Sequence, residues 1–155
     1  MRLILQRVSK SSVRVDEAIV DEIGKGILCF IGIGREDTLE DVDYCCQRLL
    51  WPDNEDKAWK TSAISNGFEI LIVSQFTLHG YFSGNKPNFH LAMAPKPAKE
   101  LYDQFCCKVR EMHTAKVAEG VFGANTEVSL TNDGPVTMTV DSKERKPSKT
   151  AISKA

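Results

Sequence analysis

Apolar and polar residues alternate over Arg2 to Val8, Ser12 to Val15 and Ala18 to Ile23, the spacing of strands with one buried face, and Gly24-Lys25-Gly26 then supplies a turn. Three short strands are expected there. Ile27 to Ile33 is a continuous apolar run, too short for a typical helix and rich in β-branched residues, which predicts a central buried strand. Asp37-Thr38 can cap a helix in which Leu39, Val42, Cys46, Leu49 and Leu50 recur at spacings of three and four until Pro52 stops it. Trp51 to Gly67 reads as a long polar connection, and Phe68 to Val73 as a second buried strand running into Ser74. Gly80 to Pro97 is irregular; Ala98, Leu101, Tyr102, Phe105, Val109 and Met112 then mark one face of a second helix, with Pro97 near its first turn. Thr126 to Leu130 and Val136 to Val140 read as strands joined by a turn over Asn132 to Pro135. The pattern predicts an α+β fold, a strand-rich curved sheet or barrel with two main helices packed on it.

Length and composition fit one domain: the chain has 155 residues, 42% hydrophobic and 26% charged. We place the domain at residues 1–140 and a basic, disordered tail at 141–155, where five basic and two acidic residues stand in a chain whose net charge is −1. That tail is a solvating terminus or an auxiliary phosphate-contacting arm. The overall charge argues against non-specific coating of nucleic acid. No run approaches the roughly 20 apolar residues needed to cross a bilayer, and the polar turn after Leu5 breaks any signal-peptide core. A soluble, cytoplasmic protein without a membrane partner is expected. Five cysteines in no metal-binding spacing, two pairs of them adjacent, fit reduced thiols in that compartment.

Chemistry concentrates in two runs. Ser74-Gln75-Phe76-Thr77-Leu78 sets hydroxyls and an amide at a strand end, where a chain leaving the sheet turns backbone N–H groups toward a ligand. Ser74 and Thr77 either satisfy the loop's own backbone or take part in chemistry, Thr77 even as a nucleophile. Asn132-Asp133-Gly134-Pro135-Val136-Thr137 is either an ordinary hairpin turn or a rigid turn that presents carbonyls. His79, His90 and His113 have no partner at a metal-ligand spacing; His79 is a general-base candidate only by its nearness to Ser74. Gly24-Lys25-Gly26 and Gly32-Ile33-Gly34 lack the third glycine of a dinucleotide site.

These two runs, with Met1-Arg2, Gln6-Arg7-Val8-Ser9, Gly24-Lys25-Gly26, Gly84-Asn85-Lys86-Pro87 followed by Phe89, and Phe122-Gly123-Ala124, resemble the D-aminoacyl-tRNA deacylase family, often called D-tyrosyl-tRNA deacylases. The resemblance spans nearly the whole folded chain. It implies a homodimer that hydrolyses D-aminoacyl-tRNA, and possession of neither metal nor cofactor. It implies that Gly134-Pro135 is cis and reaches into the other subunit's site, where its carbonyls hold the α-amino group and exclude an L side chain; glycine also passes that filter. Ser74, Gln75, Phe76 and Thr77 become the catalytic cradle, with backbone amides facing the oxyanion and Thr77 as a positioning group more than a nucleophile. The family's mechanism also leans on the 2′-hydroxyl of the terminal adenosine. Phe76 and Phe89 line the adenosine pocket, and Lys86, Asn132 and Thr137 complete the substrate side.

Thr126 departs from the family's usual methionine, and between Leu50 and Trp51 the chain lacks part of an Asn-Leu-Arg strand. The tail beyond Val140 is not shared. Two other classes stay open: a non-catalytic nucleic-acid-binding dimer using the basic tail, and a hydrolase of another ester with Thr77 as nucleophile.

Overall fold

A computed structural model describes residues 1–50 and 62–145. Eight strands and two helices follow in the order β1 (Arg2–Val15), β2 (Ala18–Ile23), β3 (Gly26–Gly32), α1 (Leu39–Leu50), β4 (Glu69–Ser74), a 3-10 turn (Phe76–His79), β5 (Tyr81–Ser83), β6 (Lys86–Asn88), α2 (Pro95–Met112), β7 (Val117–Glu119) and β8 (Thr126–Asp141). The main sheet runs β2-β1-β3-β4-β7, and β8 pairs with the other edge of β1. β3, β4 and β7 are mutually parallel, as helical crossovers require, whereas the β1 pairings are antiparallel. The result is a strand-rich, barrel-like sheet with both helices on one face, the α+β architecture expected from the pattern.

Both faces of β3 and β4 are covered. Ile27, Cys29, Ile31, Ile70 and Ile72 pack under α1 and α2, while Leu28, Leu71 and Val73 join Val8, Val13 and Ala118 on the concave side. Alternate residues thus enter two cores, which is why these strands read as continuous apolar runs. Phe105 and Leu49 are fully buried where the helices meet the sheet, each worth about 1.5–3 kcal/mol of transfer free energy. Tyr102 anchors α2 by donating its hydroxyl hydrogen to the Ile72 carbonyl at 3.3 Å. In α1 the expected apolar face is shifted: Cys45 is buried and Leu39, at the first position, is exposed. The Asp41 carboxylate accepts the Thr38 backbone N–H at 2.8 Å, closing the helix start from inside.

The first expected strand pair is one strand. The buried positions of β1 change phase at Val8 and again at Ser11, and its ladder with β8 shifts register on both sides of Val8. Bulges absorb the phase change that makes the sequence look broken. The same ladder corrects the reading of the second motif. Thr126–Leu130 and Val136–Val140 belong to one strand, and Asn132 to Pro135 is no hairpin turn: Gln6 pairs with Thr137 and Val8 with Asn132, so 133–136 swell out of β8 opposite Arg7. A bulge is where a strand tolerates proline, which has no N–H for the ladder.

Gly80 to Pro97, expected to be irregular, contains the β5–β6 hairpin and the first residues of α2. Residues 141–145, at the start of the basic stretch, pack on the domain: Ser142 is buried and donates to the Asp41 carboxylate at 2.6 Å. The rest of that stretch, and residues 51–61 of the expected connection with its shortened Asn-Leu-Arg strand, lie outside the described residues. No helix among the described residues is long and apolar enough to cross a membrane.

Candidate active site

The parallel strand β4 delivers Ser74 to its carboxyl end, where the chain turns. The Gln75 N–H donates to the Ile31 carbonyl at 2.7 Å, tying the turn to β3. The Leu78 and Gly80 amides then close back on Gln75 and Thr77 at 3.2 and 2.9 Å. The amides of Phe76 and Thr77 have no acceptor among the described residues, and no side chain caps the turn at Gln75. Two N–H groups are therefore unpartnered, one on Phe76, which lines a cavity of about 690 Å3 with Ser74, Gln75, Phe89, Phe122 and Thr126, among others, and one on its neighbour in the turn, Thr77. Phe76 and Phe89 meet edge to face with ring centroids 5.3 Å apart. Thr126 opens β8 at the cavity wall.

Thr77 is exposed and does not line the cavity; its hydroxyl accepts a hydrogen bond from the Gln75 side-chain amide. His79 sits behind the turn, buried, with its Nε2 3.0 Å from the Gly32 carbonyl oxygen. Burial lowers its pKa below the ordinary 6.5, only partly opposed by that hydrogen bond. A neutral imidazole donates to Gly32 and clamps the turn, so the general-base reading loses its geometry. Because the unfolded chain binds this proton more readily, the stability His79 supplies is present above its unfolded pKa and is lost as pH falls through the lowered native value. Urea unfolding at about pH 7.5 and about pH 5.5 should show an acid-side loss in the wild type that His79→Gln reduces.

The second motif stands elsewhere in the single chain. Asn132 donates its side-chain amide to the Arg7 and Val136 carbonyls at 2.9 and 3.1 Å, and Thr137 donates its hydroxyl to Asn132 at 3.2 Å. These two residues staple the foot of the bulge. Arg7 lies 3.1 Å from the Asp133 carboxylate, but its Nε–H is poorly aimed and makes no hydrogen bond. At the crest, the Gly134–Pro135 bond is cis and Gly134 has φ +114°. Neither Gly134 nor Pro135 lines the 690 Å3 cavity, and Lys86, exposed on β6, stands outside it too.

The family described as D-Tyr-tRNA(Tyr) deacylase matches residues 4–141. The chain is 45% identical over 152 residues to a D-aminoacyl-tRNA deacylase of Dictyostelium discoideum, covering 94% of this chain and 100% of that one. A D-aminoacyl-tRNA deacylase of Clostridium perfringens is 46% identical over 149 residues, 93% of this chain and 99% of the relative. The chain belongs to the D-Tyr-tRNA(Tyr) deacylase family. The solved structure of a c-Myc DNA Unwinding Element Binding Protein superposes with a TM-score of 0.83 at 37% identity, over 91% of this chain and 98% of the other.

Within this family fold, one group that holds the cradle escaped sequence reading. Arg2 donates to the Leu78 carbonyl at 2.9 Å and to the Asp141 carboxylate at 3.1 Å, binding the end of the turn to the end of β8. Its only sequence signal is its place beside Met1. Arg2→Ala should lower kcat for ester hydrolysis about tenfold, the consequence of a loosened turn, while Arg2→Lys retains part of it; steady-state kinetics check this. The buried thiols are not candidates: burial pushes those of Cys45 and Cys46 up to about 12 and that of Cys29 well up. Among the described residues no three His, Cys, Asp or Glu side chains are grouped to share a metal ion.

Proposed function

We propose that this protein hydrolyses the ester joining a D-amino acid to the terminal adenosine of tRNA. The observation that carries this is the pair of unpartnered amides on Phe76, which lines an aromatic cavity, and on Thr77 beside it in the turn, in a chain of the D-Tyr-tRNA(Tyr) deacylase family. An aminoacyl ester is already activated, so hydrolysis needs chiefly a place for the negative charge that develops on the carbonyl oxygen. Backbone donors that need no reorganisation supply it, each worth roughly a hundredfold or more in rate. Phe76 and Phe89 hold the adenosine, whose 2′-hydroxyl assists attack by water. Ser74 and Gln75 shape the wall, and Thr77 fixes the Gln75 amide.

Chirality is read by the Gly134-Pro135 crest of a second copy of the chain, which docks into the cavity and gives a homodimer with two composite sites. The crest's carbonyls receive the α-amino group and leave no room for an L side chain, whereas glycine passes. What supports this is position: Arg7 and the Asn132–Thr137 staple hold a crest that its own cavity does not use. The cytoplasm, where aminoacyl-tRNA serves translation, is the compartment this reading places it in. Incubation with D- and L-aminoacyl-tRNA is the test. Rapid release of the D-amino acid and little of the L is expected; no release, or equal rates, overturns the proposal. Thr77→Ser with no trappable acyl-enzyme in single turnover distinguishes this route from a threonine nucleophile.

A further inference from the structure

From Ile70 to Lys99 the chain carries no aspartate or glutamate, although it holds 21 acidic residues overall; the stretch has three lysines and two histidines. It folds into the cradle, the β5–β6 hairpin and the first turn of α2; the cradle, Phe89 just after the hairpin and the start of α2 line the cavity. The hairpin is open on both faces. Phe82 is 75% exposed and Tyr81 42%, an unusual state for aromatic rings on a short two-stranded ribbon that has little to stabilise it alone. Register orders the side chains: Phe82 lies opposite Pro87, and Ser83 opposite Lys86 next to the Gly84 turn. A Cβ built on Gly80, two residues before Phe82, would touch the Phe89 ring at 2.8 Å, so Gly80, Phe82, Pro87 and Phe89 share one face. That face carries rings outward from the cavity, from Phe89 through Pro87 to Phe82. The neighbouring groove beyond Phe122 differs, for Glu100 and Asp103 stand beside its lysines and Lys99 is paired with Asp103.

We propose that the β5–β6 hairpin is an RNA-binding arm: Phe82 and Pro87 stack the unpaired nucleotide that precedes the terminal adenosine, and Lys86 meets its phosphate. This rests on the deacylase reading of the cavity and extends it from the adenosine to the strand behind it. A stretch without acidic side chains suits a polyanion, and the graded row of rings suits bases of any sequence, since every base offers a flat face. Lys86 makes no ion pair among the described residues, so its charge is free for a phosphate.

The test uses the full-length protein and a labelled RNA hairpin ending in unpaired 3′ nucleotides. Phe82→Ala should weaken binding roughly tenfold and Phe82→Trp should retain it. Lys86→Ala should reduce the slope of log K against log salt by about 0.7. Hydrolysis of a D-aminoacyl ester of adenosine alone should proceed in Phe82→Ala as in the wild type, whereas KM for D-aminoacyl-tRNA rises. Equal RNA affinity in wild type and Phe82→Ala overturns the proposal. So does dissociation of a dimer by Phe82→Ser with RNA affinity intact, which would assign the ring to a second copy of the chain. If the wild type cleaves neither ester but Phe82→Ala still weakens RNA binding, the arm stands and the deacylase reading falls.

Discussion

Gly134→Ala is expected to lower kcat/KM toward D-aminoacyl-tRNA about a hundredfold, with only a modest fall in the urea midpoint. Gly134 has φ +114°, a region that side-chain-bearing residues rarely adopt. A Cβ there would lie 3.0 Å from an Arg7 guanidinium nitrogen, 3.0 Å from a Val136 methyl and 3.1 Å from the Val136 amide. The Arg7 guanidinium can swing aside, but the Val136 amide is backbone, so the crest itself must change shape. The ladder on either side is spared, because Asn132 and Thr137 bind the foot of the bulge independently. Loss therefore falls on function. If the crest of one copy serves the cavity of another, the ratio of D to L hydrolysis falls with the rate; single-turnover assays with both enantiomers measure it. Wild-type rates and selectivity in this variant would remove the crest from the site.

How legible the fold was depended on whether both sides of an element are covered. β3 and β4, buried on both faces, and α1 and α2, each with one apolar stripe, leave strong periodic signals, and the sequence reading finds them. β1 loses its signal at Val8 because a bulge inverts the phase of burial, an event that a period-two pattern records as a strand end. β8 fails for the same reason, its bulge holding the turn-forming residues Asn132 to Pro135. The β5–β6 hairpin has no covered face and hence no alternation to read. β7 buries only Ala118.

The candidate site divides in a similar way. A strand end at Ser74 follows from the apolar run before it, and the Phe76–Phe89 pair follows from family resemblance alone. The staple formed by Asn132 and Thr137, and the Arg2 clasp on Leu78, need distances that no local pattern encodes. They join residues more than 70 positions apart or across a bulge whose register the sequence hides. What spacing could suggest was a set of polar groups; which of them face the cavity and which hold the backbone is a property of the fold.

Gly32→Ala should be the most informative change outside the motifs, cutting the rate of D-ester hydrolysis about a hundredfold through the backbone donors alone. Gly32 ends β3 opposite Arg2, directly beneath the cradle. A Cβ there would stand 2.7 Å from the Leu78 Cβ, 2.9 Å from the Gln75 carbonyl oxygen and 3.2 Å from the His79 ring. Two of these belong to the turn's own frame, and His79 is held by the Gly32 carbonyl at 3.0 Å, so the turn must lift as a unit. In the proposed mechanism, lifting it takes the Phe76 and Thr77 amides out of reach of the developing oxyanion. A cost of about 1–3 kcal/mol in stability accompanies the overpacking, read as a lower urea midpoint with unchanged slope. Gly24→Ala is the matched control: a Cβ there meets only a Glu69 carboxylate oxygen, at 3.9 Å, far from the cradle, and both rate and stability should hold. A Gly32→Ala protein that stays folded and keeps the wild-type rate would show that the amides of this turn do not bear the developing charge, whatever the aromatic cavity binds.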